Sequence, residues 1–191
     1  MTEPNLENRR MSNDQQSTDG KHRYWQQYFT ALASEKVCCF IGFNPSGKKR
    51  KKGEYGQTIR NCRRFAENHG CGVLRTCNLF SRKDYPDGRN KEPLPDPPDP
   101  VEIRRENDRH IAVEIARADI VLCAWGNVGS QKTTDERAQE VLALLAEGDT
   151  AGKLYVLGIN KSGHPRHPAR ASIQQAFRVH IAGGQLVRTR Q

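Results

Sequence analysis

Four short apolar runs, residues 37–42, 72–79, 120–125 and 153–159, constrain the fold most. They lack the polar alternation of a strand with one wet face, so they read as strands buried on both sides. Between them, residues 57–68, 101–118 and 134–146 repeat apolar groups at helical spacing, and a further such segment lies at 172–181. Strands alternating with helices predict a parallel sheet covered on both faces. The expected fold is therefore α/β, a three-layer sandwich with a four-stranded parallel sheet. Another helix is expected at 23–33, where Tyr24, Trp25, Tyr28, Phe29 and Leu32 fall at helical spacing. Residues 1–21 are polar and aperiodic and read as a disordered lead-in. Residues 22–191 then form a single domain, as the length of 191 favours.

In a parallel sheet, ligands bind beyond the carboxyl ends of the strands. That rule selects four loops: residues 43–56, 80–100, 126–133 and 160–171. The second carries six of the ten prolines, at positions 86, 93, 95, 97, 98 and 100. Its length and proline content fit either a lid over a site or a plain ordered connection.

Lys+Arg number 31 against 22 Asp+Glu, a formal net charge of +9. Such an excess suits a polyanionic partner, because neutralised phosphates release counterions. Lys48, Lys49, Arg50, Lys51 and Lys52 are contiguous and stand in the first of the four loops. The cysteines, at positions 38, 39, 62, 71, 77 and 123, include no C-x-x-C pair. They read as buried thiols in a reducing cytoplasm, and Cys62, Cys71 and Cys77 match no iron–sulfur spacing. No stretch reaches the length of a membrane span and no signal-peptide pattern opens the chain, so no membrane partner is expected.

The first loop has two readings. Gly42 to Lys48 spells G-x-x-x-x-G-K, most of a phosphate-binding loop. The next position should be Ser or Thr for magnesium, but it is Lys49, and Asp119 precedes its strand where a metal-binding Asp should follow one. A nucleotide kinase or NTPase therefore stands as an alternative. A second alternative is a non-catalytic nucleic-acid-binding module.

Read instead as Gly42-Phe43-Asn44-Pro45-Ser46, the loop resembles the first motif of the uracil-DNA glycosylase superfamily, an Asp or Asn followed by Pro at the end of the first strand. Gly163-His164-Pro165-Arg166-His167-Pro168 resembles the His-Pro motif that follows its last strand. Asn78, in Cys77-Asn78-Leu79-Phe80, resembles the Asn that binds the flipped base. With Glu106-Asn107-Asp108 and Ala124-Trp125-Gly126, the ordered set is also similar to a bacterial and phage-associated family of unknown function, over roughly residues 37–171. A phage-defence DNA glycosylase acting on glucosylated hydroxymethylcytosine is similar as well.

The resemblance implies a uracil-DNA-glycosylase-like fold and a monofunctional DNA N-glycosylase, a hydrolase that flips out a base and leaves an abasic site. Asn44 would orient water and His164 would donate to the departing base, which a neutral imidazole can do. Asn78 offers a donor and an acceptor to a pyrimidine edge. Phe43, Tyr55 and Phe80 are candidate base contacts, with Tyr55 and Phe80 the alternatives for stacking. Ser46 stands where the uracil-specific branch has Tyr, which leaves room for a bulky 5-substituent. Lys48, Lys49, Arg50, Lys51, Lys52, Arg166 and His167 are expected to contact DNA. His167 also remains an alternative to His164 as the functional histidine. The enzyme is expected to act as a monomer on modified phage DNA. Water serves as nucleophile without a cofactor, and His164, His167 and Cys123 lack the carboxylate company of a metal site. Lys161 is the nearest lysine, so lyase chemistry is not expected. Glu106 and Asp108, early in a helix, are explained by the helix dipole alone.

Overall fold

A computed structural model describes residues 13–46, 54–83, 99–127 and 132–190. The elements run β1 (Asp14–Gln16), β2 (Arg23–Phe29), β3 (Val37–Gly42), α1 (Gln57–Asn68), β4 (Val73–Asn78), α2 (Val101–Arg117), β5 (Ile120–Cys123), α3 (Lys132–Glu147), β6 (Leu154–Val156), β7 (Phe177–Ala182) and β8 (Gln185–Arg188). Short 3-10 turns at Pro168–Arg170 and Ile173–Gln175 join β6 to β7.

The strands form one sheet in the order β1-β2-β4-β3-β5-β6-β7-β8. The pairings β3–β4, β3–β5 and β5–β6 are parallel. The pairings β1–β2, β2–β4, β6–β7 and β7–β8 are antiparallel. The four-stranded parallel sheet of a three-layer, uracil-DNA-glycosylase-like sandwich is thus corrected. Among the described residues the sheet is mixed, has eight strands, and is antiparallel at most of its pairings. Continuous apolar runs reveal only strands buried on both faces. β1, with sequence Asp-Gln-Gln, and β8, half-wet, give no such signal.

Two expected helices are strands. Residues 23–29 form β2, antiparallel to β4 with Gln26 opposite Thr76 and Phe29 opposite Val73. The i, i+4 spacing of Tyr24 with Tyr28 and Trp25 with Phe29 puts residues on one face of a helix and of a strand alike. Aromatic density, which favours strands, decides between them. Residues 172–181 begin with a 3-10 turn and continue as β7, where Val179 is buried while Arg178 and His180 are exposed. The turn into β8 is Gly183-Gly184, both at positive φ (56° and 72°), the backbone of a two-residue hairpin. The described part of the expected lead-in, residues 13–21, holds β1 and the turn into β2.

Alternation along the central strands separates two cores. Cys39 and Ile41 of β3, Cys77 of β4 and Cys123 of β5 face Ile111 and Ile115 of α2 and Ala138, Val141 and Leu145 of α3. Cys38 and Phe40, Leu74 and Leu122 face Cys62, Phe65 and Ala66 of α1, with Ile173 beyond. No described helix is long and apolar enough to cross a membrane. All six cysteines are buried and free of disulfides. Burial pushes the thiols of Cys38, Cys62 and Cys123 well up, and that of Cys71 to about 11.

Candidate functional site

The three parallel pairings bring the carboxyl ends of β4, β3, β5 and β6 to one edge. There the segments after β3 and β4 are sewn together: Leu79 N donates to Gly42 O (2.9 Å) and Phe80 N to Phe43 O (3.0 Å). The rings of Phe43 and Phe80 meet edge to face, 5.4 Å between centroids. Asn44 and Asn78 therefore stand on adjacent strand ends. Asn44 is half-buried and Ser46 exposed. Asn78 is buried, and its Oδ1 lies 2.7 Å from where a Cβ on Gly42 would sit, with the Phe40 ring at 2.8 Å from the same point. Gly42 is thus required by close approach: any side chain there would expel the Asn78 carboxamide. Because Phe40 belongs to the α1-side core, Asn78 lies on the α1 face of the sheet.

The end of β4 is held from behind by two residues to which the sequence reading gave no role. Asn107, in the E-N-D segment of α2, is fully buried and donates from Nδ2 to Asn78 O (3.0 Å) and Leu79 O (3.2 Å). Its Oδ1 is buried without a partner among the described residues. That orphan costs on the order of 1–3 kcal/mol, so the two bonds made by Nδ2 have to outweigh it. Arg137 of α3, 2% exposed, donates from Nε to the same Leu79 O (2.8 Å) and pairs with Asp108 and Glu140. The expectation that Glu106 and Asp108 serve only the helix dipole is corrected for Asp108, which partners Arg137. Glu106 faces Arg109 and His110 on the exposed side. A signal was available: Arg137 stands one turn before Val141 on the apolar stripe of its helix, where a charge must have a buried partner.

At the other end of the edge, the segments after β5 and β6 are likewise joined. Gly126 N donates to Pro165 O (3.0 Å), Arg166 N to Gly158 O (2.8 Å) and Asn160 N to His164 O (2.8 Å). Gly126 has φ 88°, and a Cβ on it would sit 2.9 Å from the Cβ of His167. Trp125 Nε1 donates to His164 Nδ1 (3.2 Å), and His164 Nε2 lies 2.9 Å from Asp135 Oδ1 in the first turn of α3. An indole nitrogen can only donate, so His164 carries its proton on Nε2 and gives it to Asp135. His167 caps the 3-10 turn, accepting at Nδ1 from Ala169 N (3.2 Å). Burial, reinforced by the Arg170 charge, lowers its pKa. Arg166 is exposed.

Tyr55 is engaged elsewhere: its ring meets Tyr28 edge-on at 5.6 Å and carries the Arg63 guanidinium at 4.6 Å. Lys48, Lys49, Arg50, Lys51 and Lys52 lie outside the described residues, as does 84–98 of the proline-rich loop. The base of that loop is described. Ser81 donates from N (2.9 Å) and Oγ (3.1 Å) to Asp99 Oδ2, and His22 Nδ1 lies 2.9 Å from Ser81 Oγ. Although this is a Ser, His and Asp set, Ser81 is wholly buried and gives its proton to the carboxylate. It staples the loop's two ends and cannot act as a nucleophile. No group of three or more His, Cys, Asp or Glu suited to a metal ion occurs among the described residues.

No curated protein and no solved structure matches this chain. A family model described as "Protein of unknown function (DUF1643)" matches residues 22–169, a span from His22 at the loop staple to the capped turn after His167. The chain belongs to that family.

Proposed function

We propose that this protein is a monofunctional DNA glycosylase acting on a modified pyrimidine, in defence against phage whose DNA carries bulky 5-substituents such as glucosylated hydroxymethylcytosine. One observation carries the reading. The backbone bonds Leu79 N to Gly42 O and Phe80 N to Phe43 O hold the Asn44 and Asn78 segments side by side at the carboxyl edge of the sheet. Two carboxamides on neighbouring strand ends suit a reaction that needs one group to orient water and another to hold a base. The motifs, not the fold, carry the resemblance to the uracil-DNA glycosylase superfamily.

In that reaction the bond from C1′ to the base nitrogen breaks and its electron pair leaves with the base. The water oxygen bonds to C1′, and one water proton ends on the base. Positive charge builds on the sugar, which the Asn44 carbonyl dipole favours while it orients the water. Asn78 reads the pyrimidine edge, and an imidazole of the His164–His167 segment donates to the base oxygen. Ser46 is small and exposed, which leaves space beside the pyrimidine 5-position. The cations at positions 48–52 and Arg166 track the phosphate backbone.

The test uses unmodified, uracil-containing and glucosylated hydroxymethylcytosine phage DNA, incubated without metal and then treated with alkali. Breaks are expected on the modified DNA and are lost with Asn44→Ala. Absence of breaks on every DNA refutes the glycosylase, and better cleavage of uracil DNA refutes the inference from Ser46.

A further inference from the structure

The two histidines of the H-P-R-H-P segment are held in opposite ways. Both ring nitrogens of His164 are taken, Nδ1 by the Trp125 indole and Nε2 by Asp135. Trp125 belongs to the core on the α2 and α3 side of the sheet, and Asp135 to α3, so His164 lies on that side. His167 uses only Nδ1, for Ala169 N, and no described residue pairs with its Nε2. The 3-10 turn that it caps packs on α1, where Asn61 Nδ2 donates to Pro168 O (2.7 Å). Beyond it, Ala171 and Ile173 join the α1-side core. Asn78, over Gly42 and against Phe40, lies on that same side.

We infer that His167, rather than His164, is the histidine that meets substrate, donating a hydrogen bond from Nε2 to the oxygen of the departing base. The inference rests on the glycosylase reading above. With Nδ1 fixed as the acceptor for Ala169 N, a neutral ring must carry its proton on Nε2. Burial and the Arg170 charge keep the ring neutral, because both disfavour the imidazolium. No proton changes hands: the donor stabilises the charge that collects on the base as the glycosidic bond breaks. His164 is a strut between Trp125 and α3.

His167→Ser tests this, because a serine at the cap position can still accept from Ala169 N while offering no imidazole. On glucosylated hydroxymethylcytosine phage DNA the variant should melt like the unaltered protein and lose about 100-fold in kcat, the scale of one preorganised donor. His164→Ala should melt lower and keep most of its cleavage. Imidazole ¹⁵N spectra give a reading independent of turnover. At neutral pH the His167 ring should be the Nε2–H tautomer, and adding this DNA to the Asn44→Ala variant should move the His167 signals and leave those of His164 in place. Wild-type cleavage by His167→Ser, or DNA-induced shifts at His164 and none at His167, overturns the inference and leaves the glycosylase intact. If the unaltered protein cleaves no DNA, the glycosylase reading itself falls, and with it the role given to His167.

Discussion

Replacing Arg137 by Met isolates the brace behind β4. The guanidinium is 2% exposed, and its Nε bond to Leu79 O (2.8 Å) satisfies a carbonyl of a fully buried residue. Removing one member of a buried charge pair costs about 3–5 kcal/mol when the partner is stranded. Here the stranded carboxylates are partly wet, 29% exposed at Asp108 and 42% at Glu140, so they rehydrate and recover part of that. The carbonyl cannot rehydrate, and an unmet buried acceptor costs about 1–3 kcal/mol. It keeps one weaker donor, Asn107 Nδ2 at 3.2 Å. The loss should therefore fall near 2–3 kcal/mol, which for a domain of this size lowers Tm by about 5–10 °C. Urea unfolding of the variant measures it directly. A loss below about 1 kcal/mol refutes the claim that Arg137 braces this backbone beyond what Asn107 alone supplies. The partner variant Asn107→Leu sharpens the test. Arg137 and Asn107 share one acceptor, so either variant alone leaves Leu79 O a donor and the double variant leaves none. The double loss should exceed the sum of the singles by at least about 0.5 kcal/mol, and additivity would refute the shared acceptor.

Gly42→Ala should destabilise by about 1–3 kcal/mol, since its methyl would overlap the Asn78 carboxamide and the Phe40 ring; a thermal melt like that of the unaltered protein would contradict this packing. All six thiols are buried, so a disulfide thiol reagent at mildly alkaline pH should label none in the native protein and six in denaturant. The pH dependence of stability has a definite sign at His167, whose folded pKa is lowered below the ordinary 6.5. The unfolded chain then binds the proton more readily, so the stabilisation is complete above about pH 6.5 and declines as pH falls toward the lowered value. Urea midpoints from about pH 7.5 to about pH 5.5 should drop more in the unaltered protein than in His167→Ser, and parallel profiles would remove His167 as a source of the slope.

The four central strands were legible because each is buried on both faces, and a run such as Val37–Gly42 has no polar alternation to disguise it. The edge strands were not. β1 is polar throughout and β8 has only Leu186 and Val187 between polar ends, so both hold their places through backbone pairing, which leaves little trace in side-chain pattern. In β2 the aromatic spacing fitted a helix and a strand equally, and aromatic density together with pairing to β4 makes it a strand. At the site, short motifs located the strand ends, but the sequence could not say which groups face outward. Trp125 and Asp135 precede His164 by 39 and 29 residues; that they clamp its imidazole emerges only from three-dimensional contact.

That clamp changes how the motifs should be understood. N-L-F, E-N-D, A-W-G and H-P-R-H-P look like a roll of catalytic residues, yet many of their polar atoms face the protein's own backbone. Asn107 and Arg137 bind the carbonyls of Asn78 and Leu79, Gly126 binds Pro165, and Trp125 binds His164. A site is held to its working geometry only when supporting groups fix the elements that carry it. In this molecule most of the motif residues are that support, and they leave few polar groups to face a ligand. Asn44 and Asn78 stand on adjacent strand ends, and His167 has a ring nitrogen that no described residue binds. Substitution in the support should therefore appear first as lost stability, and substitution of the presented groups as lost chemistry in a protein that still melts normally.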